Sequence, residues 1–92
     1  MNIPEKVRIG GHEIEVTFEK SMARDMDTMG TSCFNALQIR IDETLPQTAK
    51  ESVFLHEIIH IIDRMNNIEL SEKQVIQLES GLYQVIQDNK IF

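Results

Sequence analysis

The run His56-Glu57-Ile58-Ile59-His60 sets two imidazoles around a carboxylate within five residues. On a helix, residues four apart lie on one face, one turn above the other. Two imidazoles so placed can bind one Zn²⁺ at about 2.0–2.1 Å each. Glu57 follows the first imidazole and can reach a water on the metal. Zinc lowers the pKa of such a water toward about 7, and a carboxylate can then take its proton. The chemistry implied is attack of that water on a polarised carbonyl. By chance alone, the three fixed positions would occur in roughly one chain in a few hundred of this size. Here two of the chain's three histidines stand on one apolar helix with a glutamate between them. Burying those groups is costly without a partner. The competing reading is a polar stripe on the exposed side of an amphipathic helix.

A catalytic zinc keeps three protein ligands and one open position. Glu79 is the expected third ligand, with 18 residues between it and His60. His60 lies about six residues before the end of one helix and Glu79 about eight into the next. At about 1.5 Å of rise per residue, these come level in an antiparallel pair. The alternative is a Glu79 whose head snorkels outward from the edge of an apolar stripe. Glu72 shares that face but lies near the loop, which predicts a shortfall of roughly 10 Å along the axis. Its expected work is stabilising the helix N-terminus. Asp63 is expected to bond a ligand or, equally, to sit in a salt bridge or in solvent. Tyr83 follows Glu79 by one turn and is either a transition-state donor or a packed tyrosine with its hydroxyl at the rim. His12 reads as exposed. Cys33, without a paired histidine, reads as a small buried residue and not as a nucleophile.

The elements that must carry these groups are legible in outline. Val7-Arg8-Ile9 and Ile14 to Phe18 alternate around Gly10-Gly11, a hairpin signal. Ser21 to Phe34 reads as irregular, with Met22, Met26 and Met29 spaced for one helical turn. Leu37 to Asp42 alternates strictly and predicts a third strand. Thr44-Leu45-Pro46-Gln47 and Thr48-Ala49-Lys50-Glu51 both match a capping box opening a helix that runs to about Asn66. That helix is apolar nearly all round and should be central. Ser71-Glu72-Lys73-Gln74 opens a second helix ending near Asn89, with Val75, Leu78, Leu82, Val85 and Ile86 as its stripe. A link of about five residues makes the two helices antiparallel neighbours. The expected fold is α+β: a small three-stranded sheet packed on an antiparallel helical hairpin.

The 92 residues predict a single domain, 1–92, with no linker or repeat. The balance of 15 acidic to 9 basic residues disfavours nucleic acid and anionic membranes as partners. No apolar run approaches the roughly 20 residues that span a bilayer. The start, Met-Asn-Ile-Pro-Glu-Lys, lacks the apolar core of a signal peptide. Cys33 is the one cysteine, so no internal disulfide forms, and a reducing cytoplasm is the expected location.

H-E-x-x-H, 18 residues and then Glu resembles the gluzincin metallopeptidases. Strands, a His-Glu-Ile-Ile-His helix and a second helix look like a minimal zincin core. The run His56 to Asp63, with Ser71-Glu72 and Gly81-Leu82-Tyr83, also looks like small phage and prophage proteins near the ImmA/IrrE-like group. The motif covers about a quarter of the chain. The resemblance implies a zinc peptidase acting on a peptide or protein, with a regulatory protein as one such substrate. It carries over His56 and His60 as ligands, Glu57 as general base and Glu79 as third ligand, although the Asn-Glu context common before that glutamate is Leu78-Glu79 here. It also implies that the strand Leu37 to Ile41 holds an extended substrate. A second reading is a non-catalytic module of the same fold, stabilised by metal and used to bind a protein. A fourth ligand would mark a closed structural site, and none is evident. The scarcity of cleft-forming sequence favours the module.

Overall fold

The structure is a computed structural model that describes residues 2–20, 22 and 29–91. Two antiparallel strands, β1 (Lys6–Ile9) and β2 (His12–Glu19), open the chain. They turn at Gly10 and Gly11, whose φ angles of 57° and 84° lie in the region a side chain disfavours. Two more strands follow, β3 (Gly30–Cys33) and β4 (Gln38–Asp42). They join the first pair in a sheet ordered β1-β2-β4-β3. β2 and β4 run parallel, and β3 returns antiparallel along β4.

The α+β class expected from the pattern is present, but the sheet has four strands and not three. The extra strand, β3, lies inside the segment read as irregular. Gly30-Thr31-Ser32-Cys33 offers no apolar alternation, so its pairing depends on β4 and not on its own pattern. The helical turn suggested by Met22, Met26 and Met29 falls largely outside the described residues.

α1 (Gln47–Asn66) lies across the sheet and buries Phe54, Leu55, Ile59 and Ile61. Ile14, Val16, Ile39 and Ile41 meet it from β2 and β4. The expected threonine caps are absent. α1 is preceded by Pro46 without a side-chain cap, and the Thr44 hydroxyl instead donates to Asp42 Oδ1 at 2.6 Å. α2 (Glu72–Asp88) begins at the expected capping box, with Ser71 and Gln74 each satisfying the other's backbone. Its predicted stripe is only half buried. Val75 and Ile86 are covered, whereas Leu78, Leu82 and Val85 are 44–45% exposed. The face turned to α1 instead carries Glu72, Glu79 and Tyr83, because these find polar partners on α1.

Candidate metal centre

α1 delivers His56 and His60 as its 3.6-residue repeat requires. Their Nε2 atoms lie 3.1 Å apart. A carboxylate closes the triangle: Glu72 Oε1 is 2.9 Å from His56 Nε2, and Glu72 Oε2 is 3.2 Å from His60 Nε2. The helix-rise count that leaves Glu72 roughly 10 Å short is therefore corrected. It assumes that the link between the helices stays at the end of α1. The link instead doubles back, and the backbone N–H groups of Glu69 and Leu70 already reach the Asp63 carboxylate. Two residues later the chain is level with the histidines.

Glu79 also meets His56, but at the other ring nitrogen. Its Oε1 lies 2.7 Å from Nδ1, and its second oxygen accepts from the Ser52 hydroxyl. A hydrogen bond to that carboxylate is donated from Nδ1, and the Nε2 edge of the ring faces Glu72 and His60. His56 and His60 are half-buried, and Glu72 is open to solvent with 61% of its side chain exposed.

Glu57 points to the sheet side of the same groove and is buried. Burial raises its carboxyl above the ordinary value, and a hydrogen bond from Ser32 and the neighbouring His56 and His60 only partly offset that. Gly30 is what lets β3 approach. A Cβ there would stand 2.4 Å from Val53 and 3.4 Å from the Glu57 carboxylate. The groove, about 930 Å³, runs between Gly30, Thr31 and Ser32 of β3 and the His56, His60 and Glu72 triangle. The substrate strand expected at Leu37 to Ile41 is corrected here. β4 is paired on both sides, by β2 and β3, so its backbone has no free edge. Among the described residues the edge strands are β1 and β3, and β3 is the one that borders the groove.

The remaining candidates take other work. Tyr83 does not line the groove. Its hydroxyl donates to Glu51 Oε1 at 2.8 Å, and burial together with Glu51 pushes its pKa up to about 12. Burial acts to raise the Glu51 carboxyl, but hydrogen bonds from Tyr83 and Gln47 outweigh it and hold the group below its ordinary value. Asp63 collects backbone N–H groups of the link in place of a bond to a ligand or a place in solvent. His12 is exposed as expected, edge-on to Phe34. Cys33 is exposed, not buried. Strand side chains alternate, so with Ser32 turned toward Glu57 the next residue faces away.

No protein-family model, curated protein or solved structure matches this chain. No helix among the described residues is long and apolar enough to cross a membrane.

Proposed function

We propose that the chain is a zinc-dependent peptidase whose ligands are His56, His60 and Glu72. The observation that carries this reading is a pair of Nε2 atoms 3.1 Å apart faced by one carboxylate, with Glu72 Oε1 2.9 Å from His56 and Oε2 3.2 Å from His60. Donors about 2.0–2.1 Å from a tetrahedral zinc stand roughly 3.3 Å apart, so the two imidazoles fit with a small outward shift and a turn of the carboxylate would bring one oxygen to the metal. Oxygen and imidazole donors suit zinc, and three protein ligands leave a fourth place open. Glu79 then serves as the acceptor on Nδ1 that fixes the His56 ring and its tautomer. α1 packs on the sheet and α2 packs on α1, and a metal-bearing helix held between a sheet and a second helix is in keeping with the zincin resemblance.

When bound, zinc supplies a Lewis acid for the scissile carbonyl and lowers the pKa of a water. Glu57 takes the proton of the attacking water and delivers it to the departing amine as the C–O bond forms and the C–N bond breaks. β3 lies at an edge of the sheet among the described residues, and the main chain from Thr31 to Cys33 is where an extended peptide could pair across the groove. A cytoplasmic peptide or protein, a regulatory protein among the possibilities, is the substrate class. A metal-stabilised binding module is the second reading, and hydrolysis separates the two.

The test is metal analysis and peptide hydrolysis with the wild-type chain, His56→Ala and Glu57→Gln. About one zinc per wild-type chain is expected. His56→Ala should lose it, and Glu57→Gln should keep zinc while hydrolysis falls at least about a hundredfold. Zinc retained in full by His56→Ala would end the assignment, and undiminished hydrolysis by Glu57→Gln would remove the general base.

A further inference from the structure

Asp63 gathers the whole link between α1 and α2. Its carbonyl accepts from the backbone N–H of Asn67 and, at 3.3 Å, from that of Ile68. Its carboxylate Oδ1 accepts from Glu69 N at 2.7 Å and Leu70 N at 3.3 Å. Ser71 N then donates to Gln74 Oε1 at 2.8 Å, within the capping box. Every backbone donor from Asn67 to Ser71 is thereby satisfied, the first four by one residue. Asn67 and Glu69 hold left-handed φ angles of 50° and 66°. Asparagine takes that region readily at a helix end, but glutamate does not, so the bonds from Glu69 and Leu70 to the Asp63 carboxylate hold the link in this path. The next residue is Glu72, whose carboxylate completes the triangle with His56 and His60.

We propose that Asp63 is a positioning residue for the third metal ligand: its side-chain oxygen ties down the link so that Glu72 lands beside the two Nε2 atoms. The claim rests on the zinc reading above. Asp63 acts through an acceptor oxygen and a chain path, not through its charge. Asparagine keeps that oxygen, so Asp63→Asn should preserve the site where Asp63→Ala does not.

The experiment is a zinc titration against a competing chelator, with the melting temperature of each metal-free protein measured alongside. Variants are Asp63→Ala, Asp63→Asn, Glu72→Ala and the Asp63→Ala/Glu72→Ala pair. Losing two hydrogen bonds predicts about tenfold weaker zinc binding for Asp63→Ala. Asp63→Asn should stay within about threefold of wild type. On the Glu72→Ala background, Asp63→Ala should weaken binding no further, since both changes remove the same contact. Should Asp63→Ala fail to fold, Asp63→Glu keeps the charge but carries the acceptor oxygen one methylene away from the Glu69 and Leu70 N–H groups, and a loss of similar size is expected. Wild-type affinity in Asp63→Ala, equal losses in Asp63→Asn and Asp63→Ala, or an additive loss on the Glu72→Ala background would each overturn the proposal. A wild-type chain that binds no zinc would instead overturn the functional reading beneath it.

Discussion

His56 has two ring nitrogens and a different acidic partner at each. Glu79 on Nδ1 and Glu72 on Nε2 are both glutamates of α2, seven residues apart, yet the ring assigns them different work. In the zinc reading the Nδ1 partner orients the ring, and the Nε2 partner joins it on the metal. Their glutamine variants should therefore differ. Glu72→Gln removes a charged ligand and should weaken zinc most. Glu79→Gln keeps an acceptor for Nδ1–H and should cost about tenfold or less, the lower end for groups that orient a ligand. A zinc titration of both variants checks the order, and the reverse order would restore Glu79 as the ligand. His56, Glu57 and His60 were legible in the sequence because one helical repeat fixes their geometry within five residues. Glu72 was not, because its position depends on the path of a link whose bonds to Asp63 no spacing rule contains.

At the scale of elements, the helices and the first hairpin could be read from periodicity, caps and a Gly-Gly turn. β3 could not, since a Gly-Thr-Ser-Cys strand carries no hydrophobic pattern and owes its place to β4. The chain keeps a glycine where this strand passes α1. Gly30→Ala puts a methyl 2.4 Å from Val53 and 3.2 Å from the backbone oxygen of Arg40, so the strand must move. Overpacking of this kind costs about 1–3 kcal/mol. It should also loosen the Ser32 contact to Glu57, so peptide hydrolysis should fall while zinc affinity holds. Urea melts with zinc titration check this, and unchanged hydrolysis would argue that β3 does not border the substrate. The apolar stripe of α2 misled for a related reason. Buried acceptors and donors on α1 claim the polar face of α2, and Leu78, Leu82 and Val85 are left outside.

Across the whole molecule, a small core is supplemented by polar contacts between the helices. One of these, from Tyr83 to Glu51, involves none of His56, His60 and Glu72. Tyr83→Phe should cost about 1.5–3 kcal/mol, the range for a hydrogen bond to a charged group. Glu51 has its pKa lowered in the folded chain, so the stability it contributes is present above the ordinary carboxylate value near 4.5 and is lost as pH falls through the folded value. The gap between wild type and Tyr83→Phe should accordingly be widest near neutral pH and narrow in acid. Urea melts across that range measure it, and a gap that grows in acid would contradict the sign. Which groups hold the metal can be seen by anomalous diffraction at the zinc edge from a crystal of the zinc-loaded protein. A single peak is expected about 2.0–2.2 Å from Nε2 of His56, Nε2 of His60 and one oxygen of Glu72, with Glu79 on Nδ1. A peak bound by Glu79 in place of Glu72, or no peak between the two imidazoles, would contradict that ligand set.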